Sequence, residues 1–158
     1  PGPIISVDGQ PLGEHQGLAF YTLGQRRGLD LGGQPGRSGE PWYVVEKDLN
    51  TNQLIVAQGH NHPALMSTAL SARDWHWIDG LGPASSIECT ARLRHRHPDT
   101  AAQLERLDAD HWQVHFTAPQ RGVTPGQSVV LYDGNECLGG GIIASRQPVT
   151  GALHSGVA

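Results

Sequence analysis

Residues 87–97 read Ile87-Glu88-Cys89-Thr90-Ala91-Arg92-Leu93-Arg94-His95-Arg96-His97. Arg92, Arg94 and Arg96 recur at period two. In a strand, alternate side chains leave opposite faces, so the three guanidiniums project from one side and Leu93, His95 and His97 from the other. Working outward, strand-length segments at 69–78, 103–107, 112–116, 128–132 and 140–144 flank this one. The turns between them come from Asp79-Gly80, Asp108-Ala109-Asp110 and Asp133-Gly134. Six short strands at this spacing predict a small closed barrel.

Upstream of the barrel the chain is also strand-like. Ile4-Ile5-Ser6-Val7 runs into Asp8-Gly9, a strand followed by a tight turn. Pro41-Trp42-Tyr43-Val44-Val45 and Gln53-Leu54-Ile55-Val56-Ala57, separated by Asn50-Thr51-Asn52, predict a hairpin. Residues 17–23 suit a strand or a helical turn equally, and residues 24–39 read as a Gly- and Arg-containing loop. Pro63 marks a connector at 60–67. The expected class is therefore mainly β: a small domain over 1–66, a six-stranded barrel over 67–146, and a polar tail over 147–158 expected to be disordered.

The bulk composition agrees with this class. Of 158 residues, 21 are Gly and 11 Pro, while hydrophobic residues make up 37%, which suits short strands and many turns rather than long helices. Two cysteines without a C-x-x-C spacing exclude a disulfide scaffold and point to a reduced, cytoplasmic protein. No apolar run approaches 18 residues. The pattern at Pro1 starts in mid-course, so the chain is expected to be a piece of a longer protein. The net charge of -4 opposes a nucleic-acid binder, whose affinity comes largely from neutralised phosphates. Residues 86–97 are the exception, with three arginines against Glu88 alone, and a local basic stripe can serve as an electrostatic footprint.

Five kinds of pattern bear on chemistry. The Arg92, Arg94, Arg96 face would make phosphate clamps, because a planar guanidinium matches two oxygens, or would be a solvated strand face. Thr124-Pro125-Gly126-Gln127-Ser128 is a turn entering a strand, where the Gln127 amide offers a donor and an acceptor to a base edge or ribose, or simply meets solvent. Gly24-Gln25-Arg26-Arg27-Gly28 is a basic loop lacking both the GxGxxG and the P-loop pattern. Gly139-Gly140-Gly141 opens a strand, and close packing at a barrel corner explains it better than a phosphate nest. His60-Asn61-His62 and Asp74-Trp75-His76 invite a metal, but neither HExxH nor a zinc quartet is present, so no metal is expected.

Taken in order, the strings Gly13-Glu14-His15-Gln16-Gly17-Leu18, Tyr21-Thr22-Leu23-Gly24-Gln25-Arg26-Arg27-Gly28-Leu29, Gly59-His60-Asn61-His62-Pro63, Arg94-His95-Arg96, Val123-Thr124-Pro125-Gly126-Gln127-Ser128 and Cys137-Leu138-Gly139-Gly140-Gly141 closely resemble the C-terminal half of the tRNA-specific 2-thiouridylases, the bacterial MnmA and mitochondrial TrmU type. The resemblance covers roughly residues 1–146. It implies a central β domain followed by a barrel like the second domain of elongation factors. It implies tRNA contacts at Arg94, His95 and Gln127, with His95 standing where a Tyr is common. Arg26, Arg27, Arg92 and Arg96 are additional candidate RNA contacts.

The resemblance further implies an enzyme that puts sulfur on the wobble uridine of tRNAs for Lys, Glu and Gln. ATP with Mg would bind in an N-terminal PP-loop domain, and a sulfur-relay or cysteine-desulfurase protein would donate the persulfide. No catalytic residue maps to this chain, neither Cys89 nor Cys137, so the chain alone is expected to be inactive. Two rivals of other classes are a structural or protein-docking module, for instance one receiving a sulfur carrier, and a self-contained cysteine or metal enzyme built on Cys137 and the histidines.

Overall fold

The apolar runs of residues 42–45 and 54–57 have no polar face, because the sheet they form is covered on both sides. The computed structural model describes residues 1–34, 36–93 and 98–149. Strands β1 (Gly2–Ser6), β2 (Pro11–His15), β3 (Trp42–Asp48) and β4 (Gln53–Gln58) form one sheet in the order β2-β1-β4-β3. β1 lies parallel to β4, and the other neighbours are antiparallel. Ile4, Trp42, Val44, Leu54 and Val56 face a layer built from Leu18, Tyr21, Leu29 and Leu31. Ile5, Tyr43, Val45, Ile55 and Ala57 face Ala64 and Leu65. Two buried faces require apolar residues at successive positions rather than at alternate ones.

The hairpin of β3 and β4 is as the sequence predicts, and the ambiguous segment at 17–23 contains a 3₁₀ turn at Leu18–Phe20. β2 carries no readable signal of its own. Its sequence, Pro-Leu-Gly-Glu-His, becomes a strand because β1 offers it a ladder. At its end the buried His15 ties two distant segments together. The Gly17 N–H donates to Nδ1 (3.1 Å), so Nε2 carries the proton that it donates to the Asn52 carbonyl (2.8 Å).

The described chain divides into two units, Pro1–Met66 with Pro148 and Val149, and Ser67–Gln147. The second unit is a closed barrel of β5 (Met66–Trp77), β6 (Ile87–Arg92), β7 (Thr100–Arg106), β8 (Trp112–Arg121), β9 (Ser128–Asp133) and β10 (Glu136–Pro148). Around the barrel the order is β10-β5-β8-β7-β6-β9. β5 and β10, the strands that close it, are 12 and 13 residues long and exceed the segments read from the sequence. β10 continues through Gln147 to Pro148, into the stretch expected to be a loose tail, and residues 150–158 lie outside the described residues.

Tryptophans fill one end of the barrel. Trp75 and Trp77 stack at 4.9 Å, and fully buried Trp112 meets Trp77 edge-on at 5.0 Å. β10 can pass this cluster only without side chains. A Cβ on Gly139 would lie 2.4 Å from the His76 carbonyl oxygen, and one on Gly141 would lie 2.8 Å from the Trp75 ring and 2.9 Å from the Arg73 oxygen. The three glycines are a closure device. Gly141→Ala should lower barrel stability by about 1–3 kcal/mol in urea unfolding, because backbone atoms must move. Gly33→Ala, with no atom within 4 Å of its new methyl, should stay within about 0.5 kcal/mol of the parent.

Candidate nucleic-acid interface

Gln127 is held by its backbone and free at its amide. In the Thr124–Ser128 turn the Gln127 N–H donates to the Thr124 oxygen (3.2 Å), and Gly126 takes φ 91°, which a residue with a Cβ adopts only with strain. The Gly126 N–H donates to the Ile143 oxygen (2.8 Å), and the Ile143 N–H donates to the Gln127 oxygen (2.8 Å). These two bonds continue the β9–β10 ladder into the turn. The Gln127 side chain is exposed and bonds to no described residue.

Beyond Gln127, Ser128 opens a shallow, largely apolar groove of about 380 Å³ across β5, β9 and β10. Ile78, Val130, Cys137 and Ile142 contribute to it, over the backbone of Gly139–Gly141.

Arg92 is the last residue of β6 and pairs with Val130 of β9, so β6 ends beside the start of β9, the end that carries the Gln127 turn. Leu93 is buried in the barrel core, which leaves Arg92 on the outer face, as period two requires. Its guanidinium is engaged, however. It lies over the Tyr132 ring at 4.9 Å and grips Asp99 through two bonds (2.7 and 3.3 Å). Asp99 holds the Arg92 pKa above its already high ordinary value, so the group stays charged but its fork is filled. Arg94, His95 and Arg96 lie outside the described residues.

Arg26 and Arg27 sit on the first unit. The loop that carries them is clipped to the edge strand β3: the Gly24 N–H donates to the Val44 oxygen (2.7 Å) and the Val44 N–H donates to the Gln25 oxygen (2.9 Å). The Gln25 amide braces the loop from within, accepting from the Thr22 N–H (2.9 Å) and donating to the Arg27 oxygen (2.8 Å). Both arginines are exposed. Other cations are engaged: Arg37 with Asp8, Lys47 with the Tyr21 oxygen, Arg73 with Asp74, Arg106 over Trp112, and Arg146 with Ser67. Among the described residues, Arg26 and Arg27 are the cations whose charged groups meet no partner.

Three residues of the metal and thiol patterns pack or bond within the fold. His62 caps the 3₁₀ turn Pro63–Leu65, its Nδ1 accepting from the Ala64 N–H (3.0 Å), and His60 packs edge-on against Tyr43. Among the described residues no three His, Cys, Asp or Glu side chains converge for a metal. Cys89 is buried in the barrel core, and burial, with Asp133 nearby, pushes its thiol up to about 11. A thiol so protonated is a poor nucleophile at neutral pH. Phe20, 77% exposed, is a feature that sequence reading passed over, because an exposed aromatic on a turn has no periodic signature.

This set of parts defines a class before it defines a protein. Residues 1–58 match the family of the tRNA methyl transferase PRC-barrel domain, and residues 67–143 match that of the aminomethyltransferase beta-barrel domain. Two similar proteins are the tRNA-specific 2-thiouridylases MnmA of Salmonella arizonae, 52% identical over 95% of this chain and 41% of the relative, and of Escherichia coli O1:K1, 52% identical over 94% and 40%. The chain belongs to the tRNA-specific 2-thiouridylase family, and it spans about two fifths of the length of the curated relatives it matches. No helix among the described residues is long and apolar enough to cross a membrane.

Two solution properties follow. Cys89 should resist maleimide at pH 7 in the folded chain and label on unfolding in urea, read by mass spectrometry. Acid should destabilise the first unit. Burial lowers the His62 pKa below 6.5, and the bonds from Ser6 and then Arg37 lower that of Asp8 below 3.8. In each case the unfolded chain binds more protons, so stability rises with pH. The His62 contribution is present above about pH 6.5 and fades below it, and that of Asp8 fades from about pH 4 downward. Thermal melts of His62→Asn should lose the higher of these two steps.

Proposed function

We propose that this chain is the tRNA-holding β part of an enzyme that replaces oxygen by sulfur at C2 of the wobble uridine in tRNAs for Lys, Glu and Gln. The observation that carries the reading is 52% identity across 95% of the chain to a protein named a tRNA-specific 2-thiouridylase. In this reading the RNA lies on the rim of the barrel where β6 ends beside the Gln127 turn, and the exposed Gln127 side chain supports it. Gln127 offers an unpartnered amide there, with Arg94 and His95 as its partners in binding. Arg92 and Arg96, and Arg26 and Arg27 on the first unit, add phosphate contacts; Arg92 does so only by releasing Asp99.

Chemistry belongs to the rest of the protein in this reading. A PP-loop domain would hold ATP with Mg and adenylate the uridine, and a cysteine of that domain would receive sulfur from a persulfide donor protein. The buried Cys89, held protonated, fits no step of sulfur transfer, and the two β units position the substrate in a cytoplasmic enzyme. The chain by itself should neither hydrolyse ATP nor thiolate tRNA.

Binding measurements on the 158-residue chain and on the full-length enzyme test the assignment. The chain alone should bind tRNA with Kd roughly 10⁻⁴ to 10⁻⁶ M, more weakly as salt rises. Arg94→Ala should lower affinity and flatten the salt slope by about one unit. Gln127→Ala should lower affinity with the slope unchanged, since an amide releases no counterion. His95 should strengthen binding below about pH 6.5 if its imidazolium meets phosphate, and should be insensitive to salt if it stacks. Unchanged tRNA affinity of Arg94→Ala and Gln127→Ala in the full-length enzyme would remove these residues from the interface.

A further inference from the structure

The first unit carries a cleft that the barrel reading does not use. It has a volume of about 240 Å³ and lies between β2 and the loop that follows it, walled by Phe20, Tyr21, Gln25 and Gly28–Leu31. Phe20 stands at its mouth, 77% exposed. A Cβ built on Gly17 would lie 3.3 Å from Cδ2 and Cε2 of the ring, so one edge of Phe20 borders the space that Gly17 leaves empty. Glu14, Gln16 and Asp30 also line the cleft, and no described residue bonds to their side chains. The wall Gly28–Leu31 is shared with a second cleft that Arg26 lines. Gln25 and Gly28 both line the Phe20 cleft, so the loop between them carries the two cations without a partner, Arg26 and Arg27, at its side.

An aromatic face beside cations that track a backbone is the arrangement that holds single-stranded nucleic acid, since every base has a π-face and every linkage a charge. In a chain of net charge -4, Arg26 and Arg27 are successive exposed residues whose unneutralised charges are open to an anion. The remaining lining adds a preference. Carboxylates only accept hydrogen bonds, so the base edge that meets Glu14 and Asp30 must donate. Guanine presents a ring N–H and an amino group side by side, whereas uracil has one N–H between two carbonyls.

We propose that this cleft holds one unpaired nucleotide of an RNA strand, its base stacked on Phe20, its flanking phosphates met by Arg26 and Arg27, and its donor-rich edge turned to Glu14 and Asp30. The proposal rests on the reading that the chain meets RNA, but it uses a surface in a different unit from Gln127. Guanine is the preferred base.

Fluorescence anisotropy of the 158-residue chain with labelled single-stranded RNA heptamers, one with a central guanosine and one with a central uridine in an otherwise identical sequence, tests it. The guanosine heptamer should bind more tightly. Phe20→Ala should weaken it about fivefold or more, the loss of one base stack, and Phe20→Trp should retain it. Arg26→Ala should weaken both oligomers and flatten the salt slope by about 0.7, the single-strand value per phosphate. Glu14→Gln with Asp30→Asn should erase the preference for guanosine. Far-UV CD and melting of each variant accompany the titration; Phe20 is exposed, and Phe20→Leu keeps its bulk without a flat ring.

The cleft is excluded if the chain binds neither heptamer, if Phe20→Ala binds like the parent, as expected of a protein-docking face, or if only Gln127→Ala loses the oligomer. The last result would leave the barrel assignment standing. Conversely, loss in Phe20→Ala with Gln127→Ala unaffected supports the cleft even where tRNA titrations fail the barrel.

Discussion

An unpaired strand edge is the constraint that both units answer, and their candidate binding elements come from the answers. A free row of N–H and C=O groups invites pairing with other chains. The barrel removes its edges by pairing β10 with β5, which forces β10 across the Trp75–Trp77 stack with three residues that lack side chains. The ladder then continues into the Thr124–Ser128 turn through Gly126, Gln127 and Ile143. Gln127 is thereby held by main-chain bonds and keeps its amide free. In the four-stranded sheet, edge strand β3 is covered by Gly24 and Gln25, which bond to Val44. The residues that follow, Arg26 and Arg27, are presented to solvent as a consequence.

Charge is distributed by the same geometry. Most described cations have local work: Arg37 holds Asp8, Arg106 lies on Trp112, and Arg92 grips Asp99 while lying on Tyr132. Such pairs near water contribute little to stability, but they leave their cations less available to a ligand. An overall charge of -4 therefore says little about where an anion could bind. What matters is which guanidiniums the fold leaves without partners.

Histidines illustrate how a suggestive residue type can be absorbed by structure. His15 at the end of β2 accepts from the Gly17 N–H at Nδ1 and reaches the Asn52 oxygen of the β3–β4 turn through Nε2, and His62 caps a 3₁₀ turn. Each meets the need of a backbone group that would otherwise be buried or half-buried without a partner, which costs about 1–3 kcal/mol. That role needs no metal, although His60-Asn61-His62 looks like ligand spacing in one dimension.

From the sequence alone came the β class, the six barrel strands, the β3–β4 hairpin and the membership of the thiouridylase family, because alternation, turn residues and ordered motifs are local properties of the chain. The triple glycine was readable as close packing for the same reason. Tertiary structure decided the rest. β2 exists because β1 offers it partners, not because Pro11–His15 favours extension. Arg92 lost its free fork to Asp99, seven residues away, and Arg26 and Arg27 kept theirs. Phe20 became an exposed platform beside a cleft because its turn closes against Gly17. Whether a side chain is free depends on which distant groups the fold brings within about 3 Å of it, and no pattern along the chain encodes that distance.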